Sequence, residues 1–305
     1  PIWIKAPHIY KKNSRYYLMC AGRGTAGWHS EFIFMSDHPR VPYTPAPGNP
    51  ILTTRYLPQE RPNKVDWAGH ADIVETPDGK HFGVFLAIRP NEKNQVVQGR
   101  ETFILPVDWT GDFPVFENGL IPMSPKLKLP AGVENKTGKD GFFPNGNFKF
   151  EDDFSAARLD YRWVGVRGPR EDFIKQTPKG LQITPFNANI GEVKPTSTLF
   201  MRFQHRYFTS TVAMDYTQQS EKHLAGVVCY QSETFNYVFG VTKKGNDSYL
   251  VLERTHSGNS TIVASVKLET AGKIYLQVEA KGDAYRFNYS TDGNTFENLG
   301  GTVSG

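Results

Sequence analysis

The chain has 305 residues, of which 38% are hydrophobic and 22% charged, with a formal net charge of +4. This length is enough for two domains with separate cores. The sequence lacks the run of about 18 apolar residues that a membrane helix needs, so no membrane partner is expected. It also lacks the concentrated basic face typical of nucleic-acid binding, so no nucleic-acid partner is expected. The 13% aromatic content, with 28 Gly and 21 Pro, favours short strands and many turns.

A three-strand pattern occurs twice in the first 125 residues. The predicted strands are His8–Tyr10, Tyr16–Cys20 and Glu31–Met35 in one copy, and Asp72–Val74, Phe82–Leu86 and Glu101–Leu105 in the other. In each copy a tight polar turn joins the first two strands, as in a β-hairpin. A segment rich in Pro and aromatic residues ends each copy, at Val41–Tyr43 or Phe113–Phe116, and predicts a short edge strand.

The spacing of the two copies indicates a repeated supersecondary unit. Ile9 and Ile73 occupy equivalent positions 64 residues apart. Three strands and an edge strand make up one blade of a β-propeller. Two blades cannot close a ring, so the pattern predicts that further blades lie upstream or come from another chain.

The second half of the chain has a different organisation. A Pro-, Gly- and Lys-rich run over 126–147 predicts a linker. Many short alternating strands follow over 148–305, at a spacing typical of a β-sandwich or jelly roll. The predicted strands include Leu181–Thr184, Phe208–Met214, Ala225–Tyr230, Tyr237–Val241, Tyr249–Leu252, Ile274–Val278 and Tyr285–Tyr289.

Nearly the whole chain resembles glycoside hydrolase family 43, in its β-xylosidase and α-L-arabinofuranosidase type. The most specific segments are Ala6–Lys11, Gly69–Thr76, Gly99–Phe103 and Ala225–Tyr230. The resemblance implies an all-β protein, with later blades of a five-bladed propeller over 1–125 and a concanavalin A-like sandwich over 148–305. It also implies truncation at both ends: the catalytic base and a pKa-tuning aspartate are expected upstream of Pro1, and further strands are expected after Gly293.

The resemblance places the general acid of an inverting hydrolase immediately before Ala6-Pro7-His8, where relatives have glutamate. This sequence has Lys5 there. An ammonium with an ordinary pKa of about 10.4 is a poor proton donor at neutral pH. Three interpretations of Lys5 stay open: a solvated side chain, a binding group in a degenerate site, and a true donor.

The other candidate site residues also follow from the resemblance. His70 is expected at the propeller axis, in contact with a calcium ion, or otherwise as a hydrogen-bonded core histidine. Arg100 is expected to bind vicinal sugar hydroxyls through its paired donors, or to pair with Glu101. Trp28 and His29 are expected at the rim of the pocket. Trp28 is expected either to stack on a sugar ring or to be an isolated surface side chain.

Three functions are consistent with these residues. The first is inverting hydrolysis of terminal β-xylosyl or α-L-arabinofuranosyl residues in plant poly- or oligosaccharides. The second, favoured by Lys5, is binding of xylo- or arabino-oligosaccharide without catalysis. The third is a sandwich that only shields the propeller. The sequence does not set the oligomeric state.

Overall fold

In the computed structural model, all secondary-structure elements assigned among the described residues are β-strands. The structure describes residues 3–40, 42–117, 123, 127, 146–167, 172–216, 220–269 and 272–305. The chain divides into two compact units, Pro1–Lys136 and Thr137–Gly305. Within the described ranges, no helix is long and apolar enough to cross a membrane.

The first unit contains two four-stranded antiparallel sheets, each with its strands in chain order. One sheet consists of β1 (Lys5–Lys12), β2 (Arg15–Gly22), β3 (Ser30–Ser36) and β4 (Thr44–Pro45). The other consists of β5 (Asp66–Glu75), β6 (His81–Ile88), β7 (Glu101–Asp108) and β8 (Val115–Phe116). This confirms the predicted blades: each sheet has three long strands and a two-residue edge strand.

The first edge strand lies later in the sequence than predicted. β4 pairs Thr44 with Met35 and Pro45 with Phe34, whereas the prediction was Val41–Tyr43. The side chain of Asn49 bonds both the N–H and the C=O of Ile33, at 2.9 and 2.7 Å. These bonds hold the chain after Pro45 against β3 and so determine which residues form the edge.

The core of the first unit lies between its two sheets, where β5 packs against β1, β2 and β3. Its fully or nearly fully buried side chains include Met19, Ile33, Leu52, Ala68, Ala71, Phe85 and Leu105. Full burial of each of the larger side chains, Met, Ile, Leu and Phe, stabilises the fold by about 1.5–3 kcal/mol.

The second unit is a sandwich of two four-stranded antiparallel sheets, with strand orders β11-β16-β17-β18 and β12-β13-β14-β15, and a separate hairpin of β9 and β10. The strands are β9 (Ile174–Thr177), β10 (Gly180–Ile183), β11 (Tyr207–Asp215), β12 (Ala225–Ser232), β13 (Phe235–Lys244), β14 (Asp247–His256), β15 (Asn259–Leu268), β16 (Lys273–Lys281), β17 (Ala284–Ser290) and β18 (Glu297–Ser304). The core combines Phe239, Leu250 and Leu252 from one sheet with Leu276 and Phe287 from the other.

The predicted sandwich is confirmed, and three of its strands were not among the predicted ones. β9, β15 and β18 are additional, and β18 follows Gly293, where a further strand was expected. Apart from Leu127, Gly146 and Asn147, the predicted linker lies outside the described residues.

Candidate active site

The site is built on an irregular strand. β5 shifts its register against β6 twice, between Asp66 and Gly69 and between Gly69 and Asp72. Trp67 and His70 adopt positive φ angles of 58° and 55°, a left-handed conformation that is uncommon for residues with a side chain. Such backbone persists only where neighbouring groups hold it.

His29 holds the first half of this segment. Its Nδ1 lies 2.9 Å from the carbonyl oxygen of Trp67, which assigns the proton to Nδ1 because a carbonyl can only accept. The imidazole ring packs on Gly69, where an added Cβ would lie 2.9 Å from ring atoms. Burial is the main cause that lowers the pKa of His29 to about 4, so the ring is neutral near pH 7.

The position of His29 differs from the predicted pocket rim, because its side chain is fully buried. A turn in which the His29 N–H donates to the Ala26 carbonyl at 2.8 Å precedes β3. The ring contacts Trp67 and Gly69 as a result. His29 therefore supports β5 from the interior and presents no surface at the rim.

Glu31 holds the second half of the irregular segment. Its Oε2 accepts the backbone N–H of Ala71 at 2.9 Å, and the nearby N–H of His70 also lowers the pKa of the carboxyl. The residue is fully buried, and Oε1 meets no hydrogen-bond partner within the described part of the chain. Burial raises the pKa of Glu31 to about 8, against the effect of the two N–H donors.

Sequence reasoning did not identify Glu31 as a functional residue, although a signal was present. It is the one charged position in the otherwise apolar or small stretch that forms β3. Buried carboxyls are rare unless they are paired or hydrogen-bonded, so a charge in a strand of this kind indicates a specific partner.

Lys5 lies in the same cross-strand row as Glu31. Lys5 pairs with Ala21, and Ala21 pairs with Glu31, so the three side chains share one face of the sheet. Lys5 Nζ donates to the carbonyl oxygen of Gly24 at 3.1 Å. Burial and then the charge of Arg100 lower the pKa of Lys5. The side chain is half-buried and hydrogen-bonded, which differs from a fully solvated lysine.

His70 and Arg100 present exposed side chains in the same region. Burial first, and then the charges of Lys5, His8 and Arg100, lower the pKa of His70. The alternative in which Arg100 pairs with Glu101 is wrong, since Glu101 forms a bidentate ion pair with Arg89, including an Nε–Oε1 bond of 3.0 Å. The guanidinium of Arg100 is therefore not engaged by the neighbouring carboxylate.

Two further side chains define the surroundings. The Tyr10 hydroxyl donates to the Asp72 carboxylate and accepts the N–H of Ile73 at 2.9 Å, which ties β1 to β5. Trp28 is exposed, which is compatible with both a stacking platform and an isolated surface side chain, so its rim position stays a prediction. Among the described residues, no three His, Cys, Asp or Glu side chains converge as metal ligands.

The fold and this site together define a class: propeller-type blades followed in the chain by a concanavalin A-like sandwich, with polar side chains grouped at the first strands of the blades. Residues 1–114 match glycosyl hydrolases family 43, and residues 151–305 match the β-xylosidase C-terminal concanavalin A-like domain. The chain belongs to glycoside hydrolase family 43.

Individual relatives support this assignment. The chain is 27% identical to a non-reducing end α-L-arabinofuranosidase of Bacteroides ovatus, over 93% of this chain and 52% of that protein. It is 31% identical to a xylosidase/arabinosidase of Butyrivibrio fibrisolvens, over 80% of this chain and 46% of that protein. A crystal structure of a family 43 subfamily 12 protein from a capybara gut metagenome matches with a TM-score of 0.90 and 50% identity, over 99% of this chain and 56% of that one. The chain thus spans about half the length of these relatives.

Proposed function

We propose that the whole protein is an inverting glycoside hydrolase that releases terminal β-xylosyl or α-L-arabinofuranosyl residues from plant poly- or oligosaccharides. Family membership supports hydrolysis of carbohydrates. The names of the relatives, an arabinofuranosidase and a xylosidase/arabinosidase, support the two pentoses. The observation that carries the proposal is the exposed pair His70 and Arg100 near Lys5, with His70 on a strand that buried groups keep in an irregular shape and Arg100 directly before β7.

Each of these residues has a chemical task in the proposal. Arg100 supplies rigid paired donors that suit vicinal hydroxyls of a pentose. His70, whose pKa is lowered, is neutral near pH 7 and can donate one hydrogen bond and accept another. The carboxylate that activates water in an inverting mechanism stands about 6.5–9.5 Å from the acid in this class of enzyme. That base is expected outside this chain.

Lys5 favours a second candidate, a sugar-binding protein without hydrolytic activity. The general-acid position holds an ammonium instead of a carboxyl, and an ammonium opposes the positive charge that develops on the sugar ring. Binding through Arg100 and His70 requires no such acid. Both candidate functions therefore predict sugar binding, and only the first predicts hydrolysis of the bound sugar.

Initial rates with aryl β-D-xyloside and aryl α-L-arabinofuranoside test the proposal on the full-length protein. Hydrolysis is expected with at least one of them, with the anomeric configuration of the first product inverted in the NMR spectrum. Arg100→Lys is expected to raise KM, because the bidentate geometry is lost while the charge is kept. Oligosaccharide binding without turnover of either glycoside would establish the second candidate instead.

A calcium ion at the propeller axis stays a separate proposal, with His70 as one contact and the remaining oxygen ligands from parts of the protein beyond the described residues. Calcium titration followed by thermal unfolding tests it without reference to activity. A calcium-dependent rise in Tm that His70→Ala reduces would support the ion. An unchanged Tm would oppose it.

A further inference from the structure

Four polar side chains form a hydrogen-bonded row across one sheet of the second unit. They lie in register on the neighbouring strands β11, β16, β17 and β18 and are Thr211, Gln277, Asn288 and Asn298. Asn298 Nδ2 donates to Asn288 Oδ1 at 3.0 Å, and Asn288 Nδ2 donates to Gln277 Oε1 at 3.1 Å. Gln277 Nε2 then donates to Thr211 Oγ1 at 3.2 Å. We call these four residues the amide row.

The amide row lies on the face of the sheet that points away from the sandwich core. The strand neighbours Leu276, Phe287 and Leu299 are core residues, and successive side chains of a strand alternate between the two faces. Thr211 and Asn298, at the two ends of the row, are exposed. Because neighbouring strands lie about 4.8 Å apart, the row is about 14 Å long. An extended ligand can therefore lie across all four strands.

The hydrogen bonds of the amide row all run in one direction, which determines what each end offers to a ligand. Asn298 Nδ2 also donates to the Phe287 carbonyl at 3.1 Å, so both of its protons are used and Oδ1 is left as an acceptor. At the other end, the Thr211 hydroxyl accepts from Gln277 and keeps its own proton for donation. Because these bonds hold the side chains before a ligand binds, less conformational entropy is lost on binding.

A tyrosine ring and a guanidinium lie on either side of the amide row. Tyr275 lies two positions before Gln277 on β16, and so shares the outer face. Arg286 lies two positions before Asn288 on β17, and the two strands are antiparallel, so it is on the opposite side of the row. The Tyr275 ring packs on Gly293, where an added Cβ would lie 2.9 Å from Cζ.

We propose that the amide row, together with Tyr275 and Arg286, binds a neutral polysaccharide chain on the outer face of this sheet. The choice of a xylan-type chain as this polysaccharide rests on the proposed function. An amide presents a donor and an acceptor side by side, which suits vicinal sugar hydroxyls. The apolar face of a sugar ring can pack on the Tyr275 ring, which combines an apolar body with a polar tip.

The charges around the amide row favour a neutral ligand. None of its four side chains ionises. Glu279 pairs with Arg286 across the strands and also forms an ion pair with Lys281 at 2.8 Å, so charges of both signs lie together there. A nucleic acid requires a concentrated basic face, and a stable protein interface requires an apolar centre. The described residues of this face supply neither.

Arabinoxylan is the probe, and affinity gel electrophoresis of the full-length protein measures its binding. An Arg100→Ala background removes the group proposed to bind sugar in the candidate active site. In that background, Asn298→Ala and Thr211→Val are expected to weaken binding at least about fivefold, because each removes a hydrogen-bonding end of the row. Thr211→Ser keeps the hydroxyl and should retain binding.

Gln231→Ala is the matched control, because Gln231 is an exposed amide on β12 of the other sheet. It should bind arabinoxylan as its parent does. Equal binding by the parent and by both row variants, or an equal loss in Gln231→Ala, would overturn the proposal. Tighter binding of polygalacturonate, an acidic polymer, than of arabinoxylan would also overturn it.

Turnover separates this proposal from the proposed function. Because both units belong to one chain, polysaccharide held by the second unit is at a raised effective concentration for the first. In an active protein with Arg100 intact, the row variants should raise KM on arabinoxylan and leave kcat/KM on aryl pentosides within about twofold. Row-dependent binding without any hydrolysis would support the row and refute the hydrolase. Hydrolysis with arabinoxylan binding that no row variant changes would do the reverse.

Discussion

The carboxyl of Glu31, on β3 of one sheet, accepts the backbone N–H of Ala71, on β5 of the next sheet, at 2.9 Å. The residue before Ala71 is His70, which has a left-handed backbone and an exposed ring. A buried group thus sets the backbone at a residue that faces solvent. We expect changes at Glu31 to reach the site through this backbone and not through contact with a ligand.

Replacement of Glu31 by Gln and by Ala should give different stabilities. At pH 6 the native carboxyl is neutral, because burial raises its pKa to about 8, so Gln resembles the native group. Glu31→Gln is expected to change the free energy of unfolding by less than about 1 kcal/mol. Glu31→Ala leaves the buried N–H of Ala71 unpaired and is expected to lose about 1–3 kcal/mol. Urea unfolding measures both, and equal losses would contradict the proposed role of the carboxyl.

The pH dependence of stability should also report on Glu31. Folding raises its pKa from an ordinary 4.5 to about 8, so the unfolded chain releases this proton first. Its stabilising contribution is present below pH 4.5 and is lost as the pH rises through about 8. The Glu31→Gln variant should lack this loss. The readout is the change in unfolding free energy between pH 6.5 and 8.5 in the variant, compared with the same change in the wild type.

His29 should contribute a slope of opposite sign. Its pKa falls from an ordinary 6.5 to about 4 on folding, chiefly because of burial. Its contribution is therefore present above pH 6.5 and is lost as the pH falls through about 4. His29→Asn keeps a donor near the Nδ1 position but cannot titrate, so its unfolding free energy should fall less between pH 6.5 and 4. A slope identical to that of the wild type would contradict the burial of a neutral ring.

The packing of His29 on Gly69 can be tested by a double-mutant cycle. A Cβ at Gly69 would lie 2.9 Å from the His29 ring, so Gly69→Ala is expected to lose about 1–3 kcal/mol of stability. In a His29→Ala background this penalty should shrink by at least about 1 kcal/mol. Gly111→Ala is the control, since its added Cβ meets nothing within 4 Å. A Gly69 penalty that is unchanged in the double variant would place the strain elsewhere.

Much of the fold could be predicted from the sequence because it depends on local alternation and turn residues. The 64-residue spacing of Ile9 and Ile73 and the polar hairpin turns were sufficient to predict two blades. β15 was not among the strands named from the sequence: its first residues, Asn259–Thr261, are small and polar, although Ala264, Val266 and Leu268 alternate further along and pack against the core.

The site was less predictable, for a physical reason. Motifs identified Lys5, His70 and Arg100, but the connection from Glu31 to Ala71 depends on two register shifts in β5. The left-handed residues there are Trp67 and His70, neither of which is a glycine that would signal the conformation. A long-range contact decides the backbone at these positions, and no local pattern encodes it.

The last prediction concerns Lys5, since proton donation decides between the two candidate functions. Lys5→Glu places a carboxyl at the general-acid position, on the same sheet face as Glu31, with only Ala21 between them. Partial burial at this position raises the pKa of a carboxyl, as a proton donor at neutral pH requires. We expect at least a tenfold higher kcat on glycosides with poor leaving groups and a smaller gain on activated ones, because only poor leaving groups need the proton. Lys5→Ala should lower kcat no more than about threefold, and a loss of turnover in that variant would show instead that Lys5 itself is the donor.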